Sequence, residues 1–128
     1  MTPIIIEIDG EKFQATLDDK AAPDTVSKIR QALPIQTKIN KWGDEFYFRI
    51  PVNADLEQAV ESVTVGDLAF WPDGSAFCIF FGKTPLSKSE HEIIPASAVN
   101  PVGRIESTEG LKKFSGGETI KIKLDDKE

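Results

Sequence analysis

Apolar residues alternate with polar ones at Ile4, Ile6 and Ile8 and again at Phe13, Ala15 and Leu17, with Asp9-Gly10 between the two runs. Period two around a two-residue turn of this type predicts a β-hairpin. From Pro23 the period lengthens. Val26, Ile29 and Leu33, with Ala32, fall at helical spacing, Asp24 complements the positive end of the helix dipole, and Pro34 stops the run. Ser27, Lys28, Arg30 and Gln31 form its polar face, so this helix of about three turns packs one side on a sheet.

Strand character returns over Ile35 to Trp42, turns at Gly43-Asp44 and resumes over Glu45 to Ile50. Phe46, Phe48 and Ile50 share one face of that strand, and Glu45, Tyr47 and Arg49 share the other, which is acidic, phenolic and cationic. Asp55 to Ser62 allows a short helix, with Leu56, Ala59 and Val60 on one side. Beyond Gly66-Asp67, a strand Leu68 to Trp71 turns at Pro72-Asp73-Gly74 and comes back as Ser75 to Phe81. The returning run is apolar on both faces, so it is a central buried strand or one whose outer face lines a pocket. Gly82 to Ala98 holds Pro85 and Pro95 and no sustained period, which reads as a long ordered loop. Val99 to Ile105 is a strand. Ser107 or Thr108 caps a short helix through Phe114, Ser115-Gly116-Gly117 ends it, and Glu118 to Leu124 alternates again. About eight short strands with two or three short helices close most naturally into a mainly β, antiparallel barrel with helices over its ends.

Composition narrows the function classes. At 128 residues and 14.1 kDa, the whole of residues 1–128 reads as one domain. Cys78 is the single cysteine, which excludes an internal disulfide. The longest apolar run, Ala76 to Phe81, is six residues, where a membrane helix needs about 20, so no membrane association is expected. Pro3-Ile4-Ile5-Ile6 has no basic segment ahead of it and is followed by Glu7, a strand and not a signal peptide, so the expected compartment is the cytoplasm. A net charge of −6 repels phosphate backbones. Lys112, Lys113, Lys121 and Lys123 are interspersed with Glu109, Glu118, Asp125 and Asp126, a mixed solvated face, so no nucleic-acid partner is expected. Nine of the eleven aromatic residues fall between Trp42 and Phe81, placing there either the core or an aromatic binding surface.

Several stretches, in order along the chain, resemble the cyclophilins, a peptidyl-prolyl isomerase family. Ala22-Pro23-Asp24-Thr25-Val26 is similar to the opening of their first helix, and Tyr47-Phe48-Arg49-Ile50 to their Phe-His-Arg-Val strand. Gly74-Ser75-Ala76-Phe77-Cys78-Ile79 resembles Gly-Ser-Gln-Phe-Phe-Ile, and Lys83-Thr84-Pro85-Leu86 the Lys-Thr-x-Trp-Leu loop after it. Gly103-Arg104-Ile105 with Glu109-Gly110-Leu111 resembles their Gly-Lys-Val and Glu-Gly-Met ending. A closer likeness is to a group of short archaeal and bacterial cyclophilin-like proteins without an established biochemical function. It is carried by Trp42-Gly43-Asp44-Glu45-Phe46-Tyr47-Phe48, Val65-Gly66-Asp67, Trp71-Pro72-x-Gly74, Phe80-Phe81-Gly82-Lys83-Thr84-Pro85 and Pro95-Ala96-Ser97-Ala98-Val99-Asn100. The resemblance implies a cyclophilin-like closed β-barrel.

Isomerase chemistry carries over only in part. A prolyl isomerase holds the proline ring in an apolar pocket and donates hydrogen bonds to the twisted amide, against a barrier of about 18–20 kcal/mol. The resemblance puts Arg49 at the catalytic arginine, with an exposed arginine paired to an acidic neighbour as the structural alternative. Ala76 stands where the family has a peptide-orienting glutamine and Cys78 where it has a pocket phenylalanine, while Pro85 or Leu86 takes its loop tryptophan position. The pocket strand that follows the arginine has no counterpart in the short, acidic Pro51 to Val65. His91 follows Leu86 as a groove histidine does in cyclophilins, yet Glu90 and Glu92 flank it in a polar loop, so a solvated loop residue is expected. Cys78, between Phe77 and Ile79, has no neighbouring base to make it a nucleophile. With no second cysteine or histidine, no metal is expected, and no cofactor. What remains is a surface: Ala76, Cys78 and Phe80 beside Tyr47 and Arg49, bordered by Thr84, Leu86, Ser87, Ser97 and Asn100, for a peptide or small-molecule ligand. The alternative is that Phe80 and Tyr47 pack beneath the long loop. Binding in that groove is the expected function; the alternatives are weak prolyl isomerisation through Arg49 and an accessory role beside an amide-processing enzyme.

Overall fold

A computed structural model describes residues Met1–Asp125; residues 126–128, Asp126 among them, lie outside the described residues. β1 (Thr2–Ile8) and β2 (Glu11–Leu17) form the opening hairpin, with positive φ at both Asp9 (52°) and Gly10 (87°), the backbone of the turn that suits two twisted antiparallel strands. α1 (Pro23–Ala32) follows, then β3 (Ile35–Lys38), β4 (Asn40–Lys41), β5 (Glu45–Arg49), β6 (Asp67–Trp71), β7 (Ala76–Phe80), β8 (Asn100–Ile105) and β9 (Thr119–Leu124). Every pairing is antiparallel, in the order β3-β9-β1-β2-β8-β6-β7-β5-β4.

β3 and β4 stand at the two ends of that order, yet they are one stretch of chain interrupted at Ile39. Ile35–Lys38 pairs with β9 and Asn40–Lys41 with β5, so residues 35–41 draw the two ends together as one bent strand. The side chain of Ile39 is 1% exposed and its N–H donates to the Glu118 carbonyl at 3.0 Å, which fixes the bend.

Inward faces build one core from Ile4, Ile6 and Ile8, Phe46 and Phe48, Leu68 and Phe70, Phe77 and Ile79, and Ile120 and Ile122. Phe48 and Phe77 stack with centroids 5.5 Å apart. α1 covers the end where β2 finishes and β3 begins, burying Thr25, Val26 and Ile29. At the other end Phe114 meets Phe13 at 6.5 Å and Phe46 at 6.3 Å.

Two expected helices are absent. Residues 107–114 hold only the 3₁₀ turn Leu111–Lys113, because Gly110 takes the left-handed conformation (φ 88°) immediately before it. Residues 55–62 are irregular: Leu56 is 58% exposed, so no buried apolar stripe stabilises a helix there. Glu57 serves another helix instead. Its carboxylate accepts from the Asp24 and Thr25 N–H groups (3.1 and 2.8 Å) and from the Thr25 hydroxyl, capping α1 from outside. Desolvation opposes its charge, but these bonds and the nearby Lys28 hold its carboxyl below the usual range.

The same junction consumes Asn100, which is 0% exposed. Its Nδ2 donates to Thr25 Oγ1 (3.0 Å) and the Asp55 carbonyl (2.9 Å), and its Oδ1 accepts from the Glu57 N–H (2.7 Å). One amide thus ties β8 to α1 and to the chain after β5. Asn100→Ala leaves these buried groups unpaired, and is expected to lower stability by about 2–4 kcal/mol, read as a shifted urea midpoint at unchanged slope.

Candidate functional site

All five residues of β7 are buried. Phe77 and Ile79 belong to the barrel core, whereas Cys78 and Phe80 join a second apolar cluster with Val63, Ala69, Ile93 and Val99. This cluster lies on the outer face of the β5-β7-β6 sheet, beneath two loops, residues 51–65 and 82–98. Backbone bridges between Val63 and Ile93 and between Val60 and Val99 join those loops to each other.

The cover is incomplete over the middle of the sheet, leaving a cavity of about 280 Å³. Its floor is Cys78 and Glu45, 1% and 5% exposed. Tyr47 and Trp71 wall it, Trp42 stands at one rim, and Pro95, Ala96 and Val99 supply the other. Register explains the grouping: Tyr47 lies opposite Cys78, and Cys78 opposite Ala69, so alternate residues of three strands share this face.

Each aromatic wall is held in place. Trp42 and Glu45 exchange backbone hydrogen bonds across a tight turn (2.9 and 3.2 Å). Gly43 within it has φ 61°, and a Cβ there would come within 2.8 Å of the Lys83 carbonyl oxygen, so the loop after β7 seats directly on the turn. The Asp44 N–H donates to that same Lys83 carbonyl at 2.8 Å. The Trp71 indole N–H donates to Ser97 Oγ (2.6 Å), whose own proton goes to Asp73 Oδ2 (2.8 Å). A Cβ on Gly74 would lie 2.5 Å from Trp71 Cζ3, so only glycine lets the indole lie flat on that turn. Tyr47 and Trp71 then meet edge to face, centroids 6.4 Å apart at 87°.

Burial dominates the electrostatics. Glu45 is pushed up from 4.5 to about 7 by desolvation, offset in part by a hydrogen bond from the Cys78 thiol. Burial and the Glu45 charge in turn raise the Cys78 thiol well above its ordinary value, so it stays protonated and is not a nucleophile. Among the described residues no lysine, arginine or histidine forms an ion pair with Glu45.

The residues expected at the groove part company. Tyr47 and Cys78 line the cavity. Ala76 and Phe80 sit on the same face but are 2% and 0% exposed, packed away from solvent. Arg49 is exposed at the end of β5, outside the cavity lining, and forms no ion pair, with Glu45 or any other described residue. Thr84 is a loop staple: its hydroxyl bonds the Ile94 carbonyl, and its N–H and that of Ile94 both donate to Ser87 Oγ (3.1 and 2.9 Å). Ser97 positions Trp71, and Asn100 is spent on the α1 junction. Leu86 is 54% exposed on an adjoining depression that shares Pro95 and Ala96 with the cavity. His91 is exposed, and its backbone N–H donates to Ser89 Oγ.

Trp42, Glu45, Trp71, Pro95, Ala96 and Val99 escaped the sequence reading as site residues. Alternation already set Glu45 on one face with Tyr47 and Arg49; the loops that bury it come from distant sequence. A larger depression, about 620 Å³, lies elsewhere, beside Gly103. There Arg104 bonds Asp67 and the Val65 carbonyl, and Asp18 accepts from the Lys20 N–H. No cluster of three or more metal-ligating side chains occurs among the described residues, and no helix there is long and apolar enough to cross a membrane.

Glu45 makes stability depend on pH. Between 4.5 and about 7 the folded protein keeps a proton on Glu45 that the unfolded chain has lost, so stability is full below that window and falls as pH rises through it. The full effect is on the order of 3 kcal/mol. Glu45→Gln is expected to flatten this slope, measured as urea midpoints on either side of the window; an unchanged slope would place its cause elsewhere.

Comparison with known proteins agrees with this architecture. A family model described as Cyclophilin-like matches residues 2–123. The solution structure of the hypothetical protein AF2241 from Archaeoglobus fulgidus is 42% identical, covers 95% of this chain and 93% of its own, and superposes with a TM-score of 0.81. A structure of McbB in complex with tryptophan superposes with a TM-score of 0.72 at 15% identity; the match takes in 98% of this chain but 45% of that one, and establishes the fold alone. No curated protein matches. The chain belongs to the cyclophilin-like family.

Proposed function

We propose that the cavity between Trp42, Tyr47 and Trp71 is a binding site for a small organic ligand. One observation carries this reading. Four of the stretches through which the chain resembles the short cyclophilin-like group converge here: Trp42 to Phe48 supplies Trp42, Glu45 and Tyr47, Trp71 to Gly74 supplies Trp71 and its seat, Phe80 to Pro85 locks the turn below Trp42, and Pro95 to Asn100 supplies Pro95, Ala96, Val99 and the Ser97 anchor. A merely structural cover would fill the space. Instead rings held by hydrogen bonds and close packing surround an open volume with one carboxyl at its base, the arrangement of a preformed ligand pocket.

Size sets the ligand class. About 280 Å³ is just below the range of about 300–1,000 Å³ for drug-sized ligands, so the site suits one ring or a few heavy atoms, or one side chain of a peptide. Prolyl isomerisation is disfavoured by position. Arg49 lies two residues along β5 from Tyr47, about 7 Å, and is turned to solvent, so donor and pocket do not converge on one amide.

A screen of small aromatic compounds, followed by NMR, is expected to shift the indole N–H signals of Trp42 and Trp71, and Trp71→Ala to weaken each hit at least about tenfold. Hits that leave both indoles unmoved would remove the site. In an exchange assay on a proline peptide no acceleration is expected; acceleration abolished by Arg49→Ala would replace binding with isomerisation.

A further inference from the structure

We infer that the pocket selects an organic ammonium group carried on a compact aromatic or apolar body, an inference that rests on the binding reading above and names its ligand class. Glu45 lines the cavity at 5% exposure, and its carboxyl has the Cys78 thiol as a partner but no cation among the described residues. An ionised carboxylate with no counter-charge in such surroundings is costly, and a ligand N–H⁺ supplies both the charge and the hydrogen bond.

The walls favour the same group. Trp42, Tyr47 and Trp71 surround the space above the carboxyl, with Tyr47 and Trp71 near a right angle at 87°. Aromatic faces carry negative potential and attract a cation by about 0.5–2 kcal/mol each, most when water is excluded. Because Ser97 and Gly74 already fix Trp71, little side-chain freedom remains to be lost on binding.

The ionisable side chains of the two linings carry no positive charge. Glu45, Tyr47 and Cys78 are the titratable groups of the cavity, and Glu61 and Glu92 those of the adjoining depression across Pro95 and Ala96. Neither lining contains a lysine, arginine or histidine. Once Glu45 is ionised, a carboxylate ligand meets repulsion from it at the floor and from Glu61 and Glu92 at the margin, whereas an ammonium is drawn in. A neutral hydroxyl gains one hydrogen bond and no charge.

Three probes with one body and different heads test this: phenethylamine, 2-phenylethanol and phenylacetate, titrated at concentrations on the order of millimolar against the full chain while the Trp42 and Trp71 indole signals are followed. Phenethylamine is expected to bind at least about tenfold tighter than the alcohol, and phenylacetate weakest. Glu45→Gln is expected to abolish the amine's preference over the alcohol. Tyr47→Leu, on a half-buried residue, gives a second readout should the glutamine variant not fold: the amine should lose more affinity than the alcohol. Equal binding of amine and alcohol, a preference for phenylacetate, or equal losses in Tyr47→Leu overturn the ammonium assignment while leaving a ligand site. If no probe moves either indole, the assignment and the pocket reading fall together.

Discussion

Keeping both faces of β7 out of water is the constraint on which the rest of the molecule depends. Phe77 and Ile79 fill the barrel, and Cys78 and Phe80 face the other way, so the sheet must be covered a second time. Burying Phe80 alone is worth about 1.5–3 kcal/mol, whereas ordering each loop residue costs about 1–2 kcal/mol in backbone entropy. Two loops without regular structure meet that demand only because they are pinned at many points: the Val60–Val99 and Val63–Ile93 bridges, the Thr84–Ser87–Ile94 cluster, and the seating of Lys83 on the turn at Gly43.

Such a cover is stiff, and where it falls short it leaves an opening whose shape is set in advance. Glu45 is the cost of that arrangement. A carboxyl held where water is scarce opposes folding once it ionises, and among the described residues no cation pairs with it. A carboxyl that weakens the fold and, among the described residues, forms no ion pair is the feature on which the proposed ligand site turns.

Much of the fold was legible locally. The isoleucine alternation, the Asp9-Gly10 turn and the helix bounded by Pro23 and Pro34 depend on near neighbours, and each formed as read. Residues 55–62 did not, since helical spacing without a surface to bury it is weak, and Glu57 was drawn to the end of α1. The site was legible by face and not by depth. Tyr47, Cys78 and Glu45 on one side of the sheet follow from alternation, but which of them stays wet depends on loops far along the chain. Hydroxyl and amide side chains near a groove look like ligand contacts, yet Thr84, Ser97 and Asn100 spend their hydrogen bonds on the scaffold.

The bent strand at residues 35–41 bears on how this molecule can meet another chain. By pairing with β9 before Ile39 and with β5 after it, it occupies the two edges that an open sheet would expose. Strand addition, by which many sheets capture extended peptides and by which many aggregate, therefore finds no long row of free backbone groups among the described residues. On the proposed reading, recognition falls to side chains and to the gaps between loops, with one residue of a polypeptide inserted and its backbone left unpaired.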